Sequence, residues 1–184
     1  MPNGAARTGP RIPLPQHSFH IWRTSCLHSI SKGLLSPRAF MNLAEWIDST
    51  RDQHLAELYE FLRIPSISAK SEHKPDIERG ARWVADHLRA AGFKTVEMVP
   101  TNLHPLVYAE SLGAPGQPTI LFYGHYDVQP PEPLELWTSP AFEPTVRNGN
   151  LFGRGTADDK GQVHIHLKAL ESLQKVNGKL PINV

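Results

Sequence analysis

Thr119-Ile120-Leu121-Phe122-Tyr123 is a near-continuous apolar run that stops on Gly124-His125-Tyr126-Asp127. A run of this length and texture fits a strand covered on both faces, as in sheets flanked by helices. The surrounding sequence supplies the helices such a strand needs. Leu43, Ile47, Leu55, Leu58 and Leu62 recur at helical spacing until Pro65 stops the pattern. Pro75 opens a second helix, with Asp76 and Glu78 where the dipole favours acids and Ile77, Ala81, Val84 and Leu88 on one face. Gly92 fits its C-terminal cap. A third helix is expected from Asp159 to Val176, with Val163, Leu167, Leu170 and Leu173 aligned and Asn177-Gly178 ending it.

Between these lie further strand signals. Lys94 to Val99 and Leu106 to Glu110 read as strands, and Asn148-Gly149 reads as the turn of a hairpin joining 145–147 to 150–152. Gly113 to Pro118 is a turn, and Pro130 to Pro144 a long proline-rich loop. The alternation gives an α/β class with a helix-flanked mixed sheet. Leu180 to Val184 reads as the start of another strand. The fold is therefore expected to be incomplete at its C-terminus, with sheet edges and apolar faces uncovered.

A chain of 184 residues suffices for one domain with a core. Its net charge of +1 gives no reason to expect nucleic acid or an acidic membrane surface as a partner. No apolar stretch approaches the roughly 18 residues that a spanning helix needs. A lone Cys26 excludes an internal disulfide framework and is compatible with a reducing compartment. Charge is unevenly placed: Glu45 is the first acidic residue, after Arg7, Arg11, Arg23, Lys32 and Arg38. Residues 1–40 read as a disordered basic extension before a domain at 41–184, with Met41 as a possible effective start. A cytoplasmic location follows; the alternative is an organelle, if the Arg- and Ser-bearing extension is a transit peptide.

The chemistry concentrates in two short motifs. If the strand continues through Asp127, His125 and Asp127 point to the same side, at the carboxyl end where α/β sheets bind ligands. An imidazole nitrogen is a good zinc ligand, and a carboxylate on its other nitrogen would fix the tautomer. The plainer reading is a His and an Asp in a surface loop. The second motif is Gly153-Arg154-Gly155-Thr156-Ala157-Asp158-Asp159-Lys160-Gly161. Adjacent carboxylates at a helix head are costly to bury without a cation, and one of them can bridge two metal ions. The plainer reading here is an N-capping aspartate pair. Asp158 stands where the third glycine of a dinucleotide fingerprint belongs, which makes that reading poor.

Taken together, 122–130 and 153–162 resemble the zinc-dependent aminoacylase, carboxypeptidase G and carnosinase metallopeptidases, and look most like the dipeptidase branch. Trp137 to Phe142 and the Asn148-Gly149 hairpin fall where that branch has them, and the resemblance covers roughly Met41 to Val184. It implies a zinc exopeptidase-like catalytic domain of which 41–184 is the N-terminal part. It also implies two zinc ions in the complete site, with manganese or cobalt as possible substitutes, and short peptides as substrate. His125 would ligate one metal, Asp158 would bridge both, and Asp127 would be the catalytic-site residue that holds and tunes His125. The Asp158–Asp159 bond is expected to be cis.

The resemblance further implies a Glu-Glu pair supplying a general base and a ligand, then more distant ligands. No such pair follows Asp158 here. The chain is accordingly expected to be truncated, to bind zinc weakly and to hydrolyse dipeptides poorly or not at all. The alternative is a non-catalytic fragment that binds metal weakly or folds only with a partner. Complete family members often form homodimers through a domain absent here. A two-metal phosphatase or esterase has no better motif support.

The remaining histidines attract no role. His164 and His166 point about 200° apart on a helix and cannot share an ion. His17, His20 and His28 have no partner spacing, and His104 sits in a loop before Pro105. Trp137 could line a pocket, although packing is its plainer job.

Overall fold

A computed structural model describes residues 41–184. The expected extension at 1–40, with Cys26, His17, His20 and His28, lies outside the described residues.

Helix α1 (Leu43–Leu62) begins on a reciprocal cap. The Glu45 N–H donates to the Asn42 side chain and the Asn42 N–H to the Glu45 carboxylate, each at 3.0 Å. The apolar repeat forms the expected helix but buries only its C-terminal end, at Phe61 and Leu62; Leu43, Ile47 and Leu55 stay exposed. Helix α2 (Lys74–Ala90) carries Pro75 in its first turn, where no amide is needed, and buries Ile77, Ala81 and Val84. Strands β1 (Thr95–Val99) and β2 (Leu106–Glu110) pair antiparallel with Val96 opposite Ala109. Strands β3 (Thr145–Arg147) and β4 (Asn150–Phe152) close around Asn148-Gly149, whose φ values are 50° and 76°. The last helix, α3 (Lys160–Asn177), ends on Gly178 in the left-handed region, as the sequence suggests.

The α/β class holds, but among the described residues the sheet is two separate antiparallel pairs and two isolated parallel bridges, Ile67–Val128 and Thr119–Asn183. The expected buried strand at Thr119 to Tyr123 is therefore corrected. Only its first residues are paired: the Ile120 N–H donates to the Asn183 carbonyl at 2.9 Å, and the Asn183 N–H to that of Pro118 at 3.0 Å. Beyond Ile120 no ladder forms among the described residues, and Leu121 and Tyr123 are 90% and 87% exposed. An apolar run becomes a buried strand only when neighbours supply both hydrogen bonds and cover. The closing segment is likewise held without becoming a strand: Val184 and Ser111 exchange both backbone bonds, at 2.8 and 3.1 Å.

Two apolar clusters hold the helices. One contains Ala91, Phe93, Leu170 and Leu180; the other contains Phe61, Ile64 and Val84, with Trp83, Tyr126 and Val163 against them. The second cluster lies beneath the candidate site. Trp83 stacks on Phe61 at 4.2 Å and on His87 at 3.6 Å. Lys168 on α3 meets both Glu57 of α1 and Glu171, the latter at 2.7 Å. His164 is 6% exposed, and burial with repulsion from Lys168 pulls it down to about 4. It is a packing residue, as its helical spacing from His166 implies.

Candidate functional site

The site forms where the segment after Tyr123 meets the head of α3. Gly124 makes that approach possible. A Cβ on it would stand 2.6 Å from Val163 Cγ2 and 2.9 Å from Asp159 Oδ2, so that any side chain would force one of them to shift. Asp159 occupies the N-cap position of α3, yet its side chain makes no cap bond to the helix. Its Oδ2 instead accepts the backbone N–H of His125 at 2.9 Å. The capping reading of the aspartate pair is therefore not what the geometry shows. The Asp158–Asp159 peptide bond is cis.

This junction brings the two motifs into contact. His125 Nε2 lies 3.0 Å from Asp158 Oδ1. His125 Nδ1 lies 3.1 Å from both the carbonyl and the Oδ1 of Asp127. Asp127 thus stands on the ring nitrogen away from Asp158, so a proton on Nδ1 leaves Nε2 facing Asp158. Partial burial of the ring lowers the His125 pKa, but the bonds to Asp127 and Asp158 outweigh it, and the net displacement is upward.

The donor types suit zinc, which takes imidazole nitrogen and carboxylate oxygen. Two ligands of a tetrahedral ion with bonds near 2.0–2.1 Å are roughly 3.3 Å apart, close to the separation seen here. The fit is to part of a centre: among the described residues, no three His, Cys, Asp or Glu side chains converge as one metal site would require. The Asp158 side chain is 83% exposed, and no further donor among the described residues makes up the shortfall.

The sequence reading missed two buried polar residues behind the site. Lys160 is 0% exposed, and its Nζ donates to the carbonyls of Phe61 and Ile64 at 2.9 and 2.6 Å. Burial and then Arg79 pull its pKa down to about 7, against the attraction of Asp127 and Asp76. Ser66, also fully buried, donates to the Tyr126 carbonyl at 2.7 Å. The available signal was position: Lys160 directly follows the aspartate pair, where a charged side chain is normally solvated.

Trp137 does line a pocket, an open groove of about 770 Å³ bounded by Leu134, Trp137, Pro140 and Phe142 among others. His125, Asp127 and Asp158 are not among its walls. The Trp137 indole donates to the Pro131 carbonyl at 2.7 Å and takes Arg154 over its face at 5.3 Å. His104 is held to the Ser68 carbonyl at 3.1 Å, away from the site.

The fold belongs to the catalytic-domain class of metallopeptidases. Human carnosine dipeptidase 1 superposes with a TM-score of 0.71 at 29% identity, over 80% of this chain and 33% of that one. The chain belongs to the family described as peptidase family M20/M25/M40, whose model matches residues 121–184. It is 30% identical over 152 residues to a Cys-Gly metallodipeptidase of Schizosaccharomyces pombe, covering 77% of this chain and 32% of the relative. A cysteinylglycine-S-conjugate dipeptidase of Corynebacterium striatum is 33% identical over 128 residues, 70% of this chain and 28% of its own length. The chain thus spans about a third of the length of these relatives. No helix among the described residues is long and apolar enough to cross a membrane.

Proposed function

We propose that residues 41–184 are the N-terminal part of a metal-dependent peptidase domain that acts on dipeptides or short peptides. The observation that carries this reading is the contact of His125 Nε2 with Asp158 Oδ1 across two motifs 33 residues apart. His125 and Asp158 are the metal ligands, and Asp127 is the residue behind His125. The complete site would take two zinc ions, held by His125 and Asp158 together with further ligands. When bound, zinc would supply activation of a water molecule and polarisation of the peptide carbonyl.

The chain's own contribution is to present two donors in fixed geometry. Asp127 holds the proton on His125 Nδ1 and keeps Nε2 free to ligate. Asp159 fixes the His125 backbone, so the imidazole meets Asp158 without a search. Protonation of His125, which Asp127 and Asp158 favour, competes with a metal ion for Nε2, and metal uptake therefore improves as pH rises. Two converging donors make zinc binding by the 184 residues alone weak and peptide hydrolysis slow or absent. The names of the relatives point to Cys-Gly-like dipeptides as first substrates.

The test is a hybrid in which residues 41–184 replace the matching third of the Schizosaccharomyces pombe relative. It is assayed on Cys-Gly with zinc, manganese or cobalt. Turnover that Asp158→Ala and His125→Ala each abolish is the expected result. A folded hybrid whose turnover survives both changes would overturn the proposal.

A further inference from the structure

Both halves of the His125–Asp158 pair are fastened to one turn that touches neither residue. After α1 the chain bends sharply through Ile64 to Ile67, with the Ser66 N–H on the Ile64 carbonyl at 2.8 Å and the Ile67 N–H on that of Pro65 at 2.7 Å. One side of this turn holds the His125 segment. Ser66 Oγ donates to the Tyr126 carbonyl at 2.7 Å, the Val128 N–H donates to the Ser66 carbonyl at 2.9 Å, and Ile67 bridges Val128. The other side holds the head of α3. Lys160, the residue after the aspartate pair, reaches back to the Phe61 and Ile64 carbonyls at 2.9 and 2.6 Å.

Burying a hydroxyl and an ammonium costs stability unless every polar atom is partnered. Here both are spent on backbone carbonyls. The Phe61 and Ile64 carbonyls, at and just past the end of α1, each accept one local N–H, from Ile64 at 3.3 Å and from Ser66 at 2.8 Å, and the Lys160 ammonium fills a second acceptor position on each. The Phe61 ring adds its face to the ammonium at 4.9 Å. An apolar residue at position 66 would leave the His125 segment held by the Val128–Ser66 backbone bond and the Ile67–Val128 bridge without the hydroxyl, and one at position 160 would remove the two bonds that tie the head of α3 to the turn.

We propose that Ser66 and Lys160 are positioning residues, which tie the His125–Val128 segment and the head of α3 to the Phe61–Ile67 turn and so set the register at which Asp158 faces the His125 ring. The proposal rests on reading that pair as metal ligands. Its geometry can be tested without metal, because the His125 amide bonded to Asp159 Oδ2 lies across the joint.

The experiment is amide hydrogen exchange by NMR on the full 184-residue chain, unaltered and as Lys160→Met and Ser66→Ala. The β1–β2 ladder serves as the reference for general stability. Ser66→Ala removes one oxygen and tests the idea even if Lys160→Met folds poorly. The expected result is His125 exchange about tenfold or more faster in each folded variant, beyond any change in the reference amides. Acceleration only in step with the ladder, or none, would overturn the proposal and leave Ser66 and Lys160 as ordinary core residues. A parallel zinc titration keeps the two readings apart. An unaltered chain that takes up no zinc removes the metal reading, while the His125 exchange still decides the register.

Discussion

The Asp159 carboxylate accepts the backbone N–H of His125 at 2.9 Å instead of capping the helix it begins. That bond joins the two motifs through the backbone, beside the contact of His125 Nε2 with Asp158 Oδ1. It also frees Asp158, the neighbouring carboxylate, to face the imidazole.

Asp159→Ala should therefore cost about 1.5–3 kcal/mol, the value of a lost bond to a charged acceptor. Asp159→Asn should cost less, because its amide oxygen can accept the same N–H. Urea unfolding of both variants separates the bond from the charge. Equal losses would show that the charge, and not the acceptor, matters.

Gly124→Ala places a methyl against Val163 and Asp159 at distances of 2.6 and 2.9 Å. Overpacking of this kind costs about 1–3 kcal/mol. Thermal unfolding should show the loss, and zinc uptake should fall with it, since the methyl pushes α3 away from His125. A stable variant with unchanged uptake would mean that the junction is looser than drawn.

Lys168 carries the α1–α3 seam between Glu57 and Glu171, with all three side chains under a fifth exposed. Burial raises the Glu57 pKa, but its hydrogen bond and attraction to Lys168 prevail and hold it low. Lys168→Met leaves two carboxylates without their cation, a loss of about 3–5 kcal/mol for a buried pair broken on one side. The triple variant that adds Glu57→Gln and Glu171→Gln to Lys168→Met should recover part of it. Denaturant midpoints provide the comparison.

His164 sets a pH dependence whose sign is fixed. Its folded pKa of about 4 lies below the ordinary value of 6.5, because burial and Lys168 disfavour the charged form. The unfolded chain therefore binds the extra proton first as pH falls. Stability from this group is complete above pH 6.5 and is lost between 6.5 and about 4, by up to about 1.4 kcal/mol per pH unit. His54 shifts the same way, through burial first and then Lys168. His164→Leu should flatten the decline measured by urea unfolding across that window. An unchanged slope would place the acid sensitivity elsewhere.

Helices and hairpins were legible in the sequence because their signals are local. Pro75, Asn148-Gly149 and Gly178 act through their own backbone preferences, and each stands where it was expected. Thr119 to Tyr123 was not legible, since an apolar run records what could cover it and not whether the cover is present. Leu43, Ile47 and Leu55 mislead in the same way: the period fixes the helix, but neighbours decide which turns are buried. The pairing of His125 with Asp158 could be anticipated from the two motifs jointly. The position of Lys160 after the aspartate pair is a signal, but its partners and that of Ser66 are backbone carbonyls remote in sequence, which no side-chain pattern announces.

The central claim is that His125 and Asp158 are two ligands of one metal ion. Isothermal titration of zinc into the 184-residue chain at pH 7.5, beside His125→Ala and Asp158→Ala, tests it most directly. Weak uptake at one site, lost in both variants while the fold persists by circular dichroism, is the expected result. Uptake that neither substitution changes would contradict it.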